Sequence, residues 1–147
     1  MTYNLLACPL LTAALLLPQV SEQSPPPQKN PEIAALEEQI AGKEQLPAEQ
    51  VFKNIQTFKG RPAIAVLRVM EQAFVANLGV ECSYCHVEKQ YESDEKNAKK
   101  IAREMWVMRG QVQEEARKAS GNAQAVVTCY TCHKGKARPE FAPGRAR

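Results

Sequence analysis

Two short segments constrain this chain more than anything else in it: Cys82-Ser83-Tyr84-Cys85-His86 and Cys129-Tyr130-Thr131-Cys132-His133. The 147 residues include five cysteines and two histidines, and the two segments use four of the cysteines and both histidines. In Cys-x-x-Cys-His the thiols are spaced to add across the two vinyl groups of one porphyrin, and the adjacent histidine is then held beneath the iron. The fixed third residue makes the pattern specific. The spacing therefore predicts two covalently attached c-type haems. Cys82, Cys85 and His86 would bind one, and Cys129, Cys132 and His133 the other.

Two other chemistries use the same cysteines. Four thiolates suit a zinc site, which would make the chain a structural module. Each pair also suits a redox dithiol. Neither explains why a histidine follows both pairs and occurs nowhere else. With no histidine left over, a bis-histidine iron is excluded. Apart from Met1, the methionines are Met70, Met105 and Met108. All three fall on apolar faces of helices expected before the motifs. A lone methionine on such a face is ordinarily core filler, but the placement repeats before both motifs, where each iron needs a sixth ligand. Met105 and Met108 are three residues apart on one face, so periodicity does not choose between them.

The rest of the chain reads as helix and loop. Leu5–Leu17 is apolar but for Cys8, Pro9 and Thr12, too short for a transmembrane helix of about 20 residues. Residues 1–20 are expected to be a secretory signal peptide or a short membrane anchor, although the usual basic start is missing. Leu5-Leu6-Ala7-Cys8 resembles a lipoprotein box but precedes the apolar run. Residues 21–30, with three consecutive prolines, predict a stiff linker. Asn30-Pro31 should cap a helix to about Ala41. A second helix is expected over 47–58 and a third from Pro62 to the stop at Gly79, with Val66, Leu67, Met70 and Phe74 on one face. Val87–Asp94 reads as a loop. A long helix over 95–118 should carry Ile101, Ala102, Met105, Met108 and Val112 on its apolar face, weakened by Gly110. No strand pattern is visible. The fold class is thus all-α, with a domain over 31–136 whose helices pack on two covalent haems.

Charge adds little. The formal net charge is +3, with a basic excess in the tail. Residues 137–147 are expected to be a flexible, solvated tail, because no aromatic-basic interleaving accompanies it. Nucleic acid is not an expected partner. Two haems would bring four propionates and move the assembled protein towards neutrality.

Further stretches carry a resemblance: Leu67-Arg68-Val69-Met70, Leu78-Gly79-Val80-Glu81 running into the first motif, Ala102-Arg103-Glu104-Met105, and Val127-Thr128 leading through the second motif to Lys134-Gly135. Together with Val51-Phe52-Lys53-Asn54-Ile55, this series resembles the cytochrome subunit of photosynthetic reaction centres and its shorter bacterial relatives, over about residues 48–136. The resemblance implies helices packed side-on against haems, with Met70 ligating the first iron and Met105 the second. That subunit carries four haems, so this chain resembles half of it.

The expected function is electron transfer by a carrier or electron-transfer subunit, not an enzyme, at the periplasmic or outer face of the cytoplasmic membrane. Its partners would be redox proteins, a membrane electron-transfer complex among them. A dihaem peroxidase-like enzyme is the main rival. It needs an open iron and usually a distal acid-base group, and no histidine remains to serve as one.

Overall fold

The computed structural model describes residues 30–140. The expected signal or anchor, nearly all of the proline-rich linker and most of the tail lie outside the described residues. Within them the protein is helical, and no strand forms; only isolated bridges occur, Pro47 with Pro62 and Val87 with Gln90. The fold is all-α, as the sequence predicts.

Helix α1, Pro31–Gln39, starts where its capping residues place it. The Asn30 side chain accepts from the Glu32 amide at 2.9 Å, and proline opens the first turn. The second helix is far shorter than expected: α2 covers only Ala48–Val51. Phe52 is extended and Asn54 is left-handed at φ +57°, so the apolar residues that suggested one helix face are delivered by an irregular loop instead. The Ala48 amide donates to Arg61 O at 2.7 Å and the Ala63 amide to Leu46 O at 2.9 Å, which pins this loop at both ends.

The third expected helix is present but not uniform. It comprises α3 (Ala63–Arg68), a π-helical segment Val69–Val75, and α4 (Ala76–Leu78), and ends at left-handed Gly79. The wider π turn rotates the faces of α4 relative to those of α3. Ala63, Val66 and Leu67 are buried in the core, whereas Met70 and Phe74 line a cavity. The first motif forms α5 (Cys82–Cys85) and the second forms α7 (Cys129–His133). Between them runs α6, Asn97–Ser120, uninterrupted at Gly110 and capped by left-handed Gly121.

The core is one-sided. The buried apolar residues are Ile33, Ile40, Ala48, Phe58, Ala63, Val66 and Leu67. Beyond Leu67 the described residues bury only Lys99 and Gln113. Trp106 joins the halves, with its ring 5.0 Å from Phe58 and 5.8 Å from Phe74. Ile101, Met108 and Val112 on α6 remain 50%, 43% and 43% exposed. The apolar face of α6 is therefore real, but among the described residues no element covers it fully.

Candidate haem sites

Two cavities gather the residues singled out in the sequence. The first, about 510 Å³, brings Met70 from the π segment together with Cys82, Cys85 and His86. The second, about 280 Å³, brings Met105 and Met108 from α6 together with Cys129, Cys132 and His133. The cavities adjoin: Phe74, Cys85, Ala102 and Trp106 line both. Met105 is half-buried and Met108 exposed. The four described cysteines are free of disulfides. Among the described residues no group of three or more His, Cys, Asp or Glu side chains converges as a metal site. The two cysteine pairs thus serve neighbouring cavities and do not assemble one four-thiolate centre.

Each motif histidine is held in the same way by a different local device. After the first motif the chain turns back through the Val87–Gln90 bridge, with Lys89 left-handed at φ +58°. This returns Tyr91 O to within 3.1 Å of His86 Nδ1. After the second, Lys134 at φ +51° and Gly135 at φ +79° reverse the chain, and Lys136 O lies 3.0 Å from His133 Nδ1. A carbonyl can only accept, so each Nδ1 carries a proton, and in the neutral ring Nε2 is then the nitrogen with a free lone pair. Burial pushes the His86 pKa down, with Lys99 and Arg103 adding to the effect, which favours the neutral ring that ligation requires.

Three of the motif thiols, Cys82, Cys85 and Cys129, are held towards their protonated form. Burial, reinforced by the Glu32 carboxylate, pushes Cys82 up to about 11. Burial also raises Cys85 and Cys129. Zinc and redox sites need the opposite shift, because the thiolate is the ligand and nucleophile.

The donor set and the walls fit a haem. The first cavity lies within the range of roughly 300–1,000 Å³ usual for cofactor pockets. The second is smaller, and the exposed Ile101, Met108 and Val112 side chains extend its apolar surface. Arg109, stacked over Trp106 at 4.6 Å, lines the second cavity. Its Nε is buried with no hydrogen-bond partner among the described residues, a donor suited to a carboxylate such as a propionate.

The packing roles of several positions here carried no sequence signal. Gln113 Oε1 accepts from the Val127 amide at 2.7 Å, and its Nε2 donates to Ala125 O, which fixes the extended approach to Cys129. Gly79 and Gly135 meet backbone to backbone, and the Gly135 amide donates to Asn77 O at 3.2 Å. Lys99 is buried beside Tyr91. Each is one more polar or small residue until its neighbours are known.

A family model described as the photosynthetic reaction centre cytochrome C subunit matches residues 18–142. The chain belongs to this family. The photosynthetic reaction center cytochrome c subunit of Thermochromatium tepidum is 32% identical over 101 residues, covering 65% of this chain and 23% of that protein. The chain thus spans about a quarter of the length of that curated relative. The family is one of c-type cytochromes, electron carriers with covalently bound haem. No helix among the described residues is long and apolar enough to cross a membrane.

Proposed function

We propose that this chain is a dihaem c-type cytochrome that transfers electrons, with Cys82, Cys85 and His86 holding one haem and Cys129, Cys132 and His133 the other. The observation that carries the reading is the matched pair of histidines. Each has Nδ1 tied to a main-chain carbonyl, at 3.1 and 3.0 Å, and each lines a cavity with its motif's two cysteines and a methionine. Such a tie fixes the tautomer and aims Nε2 at a metal.

Bound haem supplies a one-electron iron couple. The chain's own residues do the rest. The cysteines would hold each porphyrin covalently, and the carbonyl-tethered histidines would ligate the irons. Met70 and Met105 would supply a thioether ligand to the first and second irons. Met105 is preferred to Met108 because it is the less exposed and lies in the family's segment Ala102-Arg103-Glu104-Met105. A thioether favours ferrous iron and raises the potential, and a six-coordinate iron has no open position for peroxide or substrate. This supports a carrier over a peroxidase-like enzyme. Phe74, Cys85, Ala102 and Trp106 line both cavities, so haems bound in them would be neighbours.

The protein works at the periplasmic face of a membrane and exchanges electrons with a membrane complex; residues 1–20 serve as its signal or anchor. The relative from Thermochromatium tepidum is a reaction center subunit by name, which makes such a complex the partner to test first. Expression with a c-type maturation system, followed by intact mass under denaturing conditions, should show two haem additions. Zinc without iron would end the proposal. Carbon monoxide binding to the reduced protein would instead reveal an open iron and favour the enzyme.

A further inference from the structure

Lys99 is one of two polar residues the described chain buries, at 8% exposure. Its ammonium donates to Tyr91 O and Ser93 O, both at 2.8 Å, and pairs with Asp94 Oδ1 at 3.1 Å. Tyr91 O is also the acceptor for His86 Nδ1. One carbonyl therefore takes a hydrogen bond from an imidazole and another from a buried cation. At the second motif His133 Nδ1 donates to Lys136 O, and among the described residues no cation shares that carbonyl.

We propose that Lys99 is a positioning residue that acts through the Tyr91 carbonyl to raise the reduction potential of the first haem above the value its histidine tie alone would set. The inference builds on the dihaem reading above. An imidazole that donates Nδ1–H to a strong acceptor becomes a better donor at Nε2 and favours ferric iron. An ammonium on the same carbonyl draws off part of that acceptor's electron density and weakens the effect. Ferric iron also carries one more positive charge than ferrous, so a fixed cation beside it disfavours oxidation, more strongly at low local dielectric. The two effects have the same sign.

The neighbouring charges leave that sign intact. Asp94 Oδ1 pairs with Lys99 and, at 2.9 Å, with Arg103, so one carboxylate faces two cations and the cluster keeps a net positive charge. Glu32 on α1, exposed, reaches the Tyr91 hydroxyl at 3.3 Å and acts on His86 with the opposite sign, but less than either Lys99 or Arg103.

The test is spectroelectrochemical titration of the holoprotein, with each potential assigned to its motif by hyperfine-shifted resonances of the axial ligands. Lys99→Met should lower the first haem's potential by about tenfold in its reduction equilibrium, ~59 mV for a one-electron couple, and leave the second almost unmoved. Lys99→Arg keeps the charge and should restore most of the loss. Asp94→Asn removes the compensating carboxylate and should move the first haem the opposite way, upwards. A general loosening of the loop would shift Lys99→Met and Asp94→Asn in the same direction, and that result overturns the proposal. So does an unchanged potential in a Lys99→Met protein that still carries both haems. Wild-type protein without a haem on Cys82 and Cys85 would overturn the dihaem reading itself.

Discussion

Gly79 and Gly121 form a matched pair of substitution sites that isolates one contact. Both are left-handed, at φ +62° and +63°, and both follow a helix. A β-carbon on Gly121 would meet nothing within 4 Å, whereas one on Gly79 would stand 2.3 Å from Gly135 O and 3.3 Å from Gly135 C. Alanine at either site incurs the left-handed penalty of roughly 1–2 kcal/mol, and the gain from a stiffer unfolded chain is common to both. Only Gly79→Ala must also push away a backbone oxygen, which no side-chain rotation relieves. Separating the two segments breaks the Gly135 amide bond to Asn77 O, a net of about 0.5–1.5 kcal/mol, and loosens the packing around it. Gly79→Ala should therefore be less stable than Gly121→Ala by about 1–3 kcal/mol. The assay is equilibrium urea unfolding of the haem-loaded proteins, compared at equal m value. Equal losses, within ~0.5 kcal/mol, would refute the contact. Its importance lies in position: it ties the residues just before Cys82 to those just after His133, and so holds the two sites in register.

Three further outcomes are expected. Replacing Cys82, Cys85, Cys129 and Cys132 together by alanine should abolish cooperative unfolding, since so little apolar surface is buried beyond Leu67; a sharp, native-like melt would contradict this. Met105→Leu keeps most of the volume but removes the sulfur, so one haem should lose its sulfur-to-iron charge-transfer band and bind carbon monoxide when reduced, while Met108→Leu should keep both bands; the reverse pattern would move the ligand by one helical turn. Hydrogen bonding from Asn54, then Lys99 and Arg103, holds the Asp94 carboxyl well below the usual carboxylate range. A depressed folded-state pKa means stability present above the unfolded value and lost as pH falls below it. Asp94→Asn should thus be destabilised at neutral pH, and the gap to the parent should close only below pH ~4; a gap independent of pH would exclude the charge as its cause.

How much the sequence disclosed depends on how each feature is encoded. The Cys and His sets were legible because covalent attachment to a porphyrin demands a fixed local spacing. Helix α6 was legible to within two residues at each end, because 24 residues of periodic pattern outweigh one glycine. What its apolar face packs on was not: Ile101, Met108 and Val112 repeat as if facing another helix, yet they flank a cavity. The second helix was over-extended because Val51, Phe52 and Ile55 mimic a helical stripe, while the left-handed turn at Asn54 is held by its side chain's bond to Glu92 O and by Arg103 donating to Asn54 O, distant contacts that leave no local mark. Lys99 sits in a run with Lys96 and Lys100 that looks like a solvated face. Only the fold reveals that its ammonium turns inward to Tyr91 and Ser93.

The failure at α6 has a cause that bears on how the molecule is assembled. From Ile33 to Leu67 the chain supplies its own core, in two clusters with Met70 and Phe52 packed against both. Past that point its apolar residues are arranged around space. A face patterned to meet a flat ligand has the same periodicity as one patterned to meet a helix, so periodicity alone cannot tell them apart. The difference appears only in the accounting of burial. Half of the domain can condense on protein contacts alone, and the other half has Trp106, the Gly79–Gly135 contact and the Gln113 bonds to steady it. If haem completes that second half, attachment at Cys129 and Cys132 should order α6 more than attachment at Cys82 and Cys85 does, because the first cavity is already walled by the protein core. The helix that carries Met105 would then be fixed by the ligand it serves.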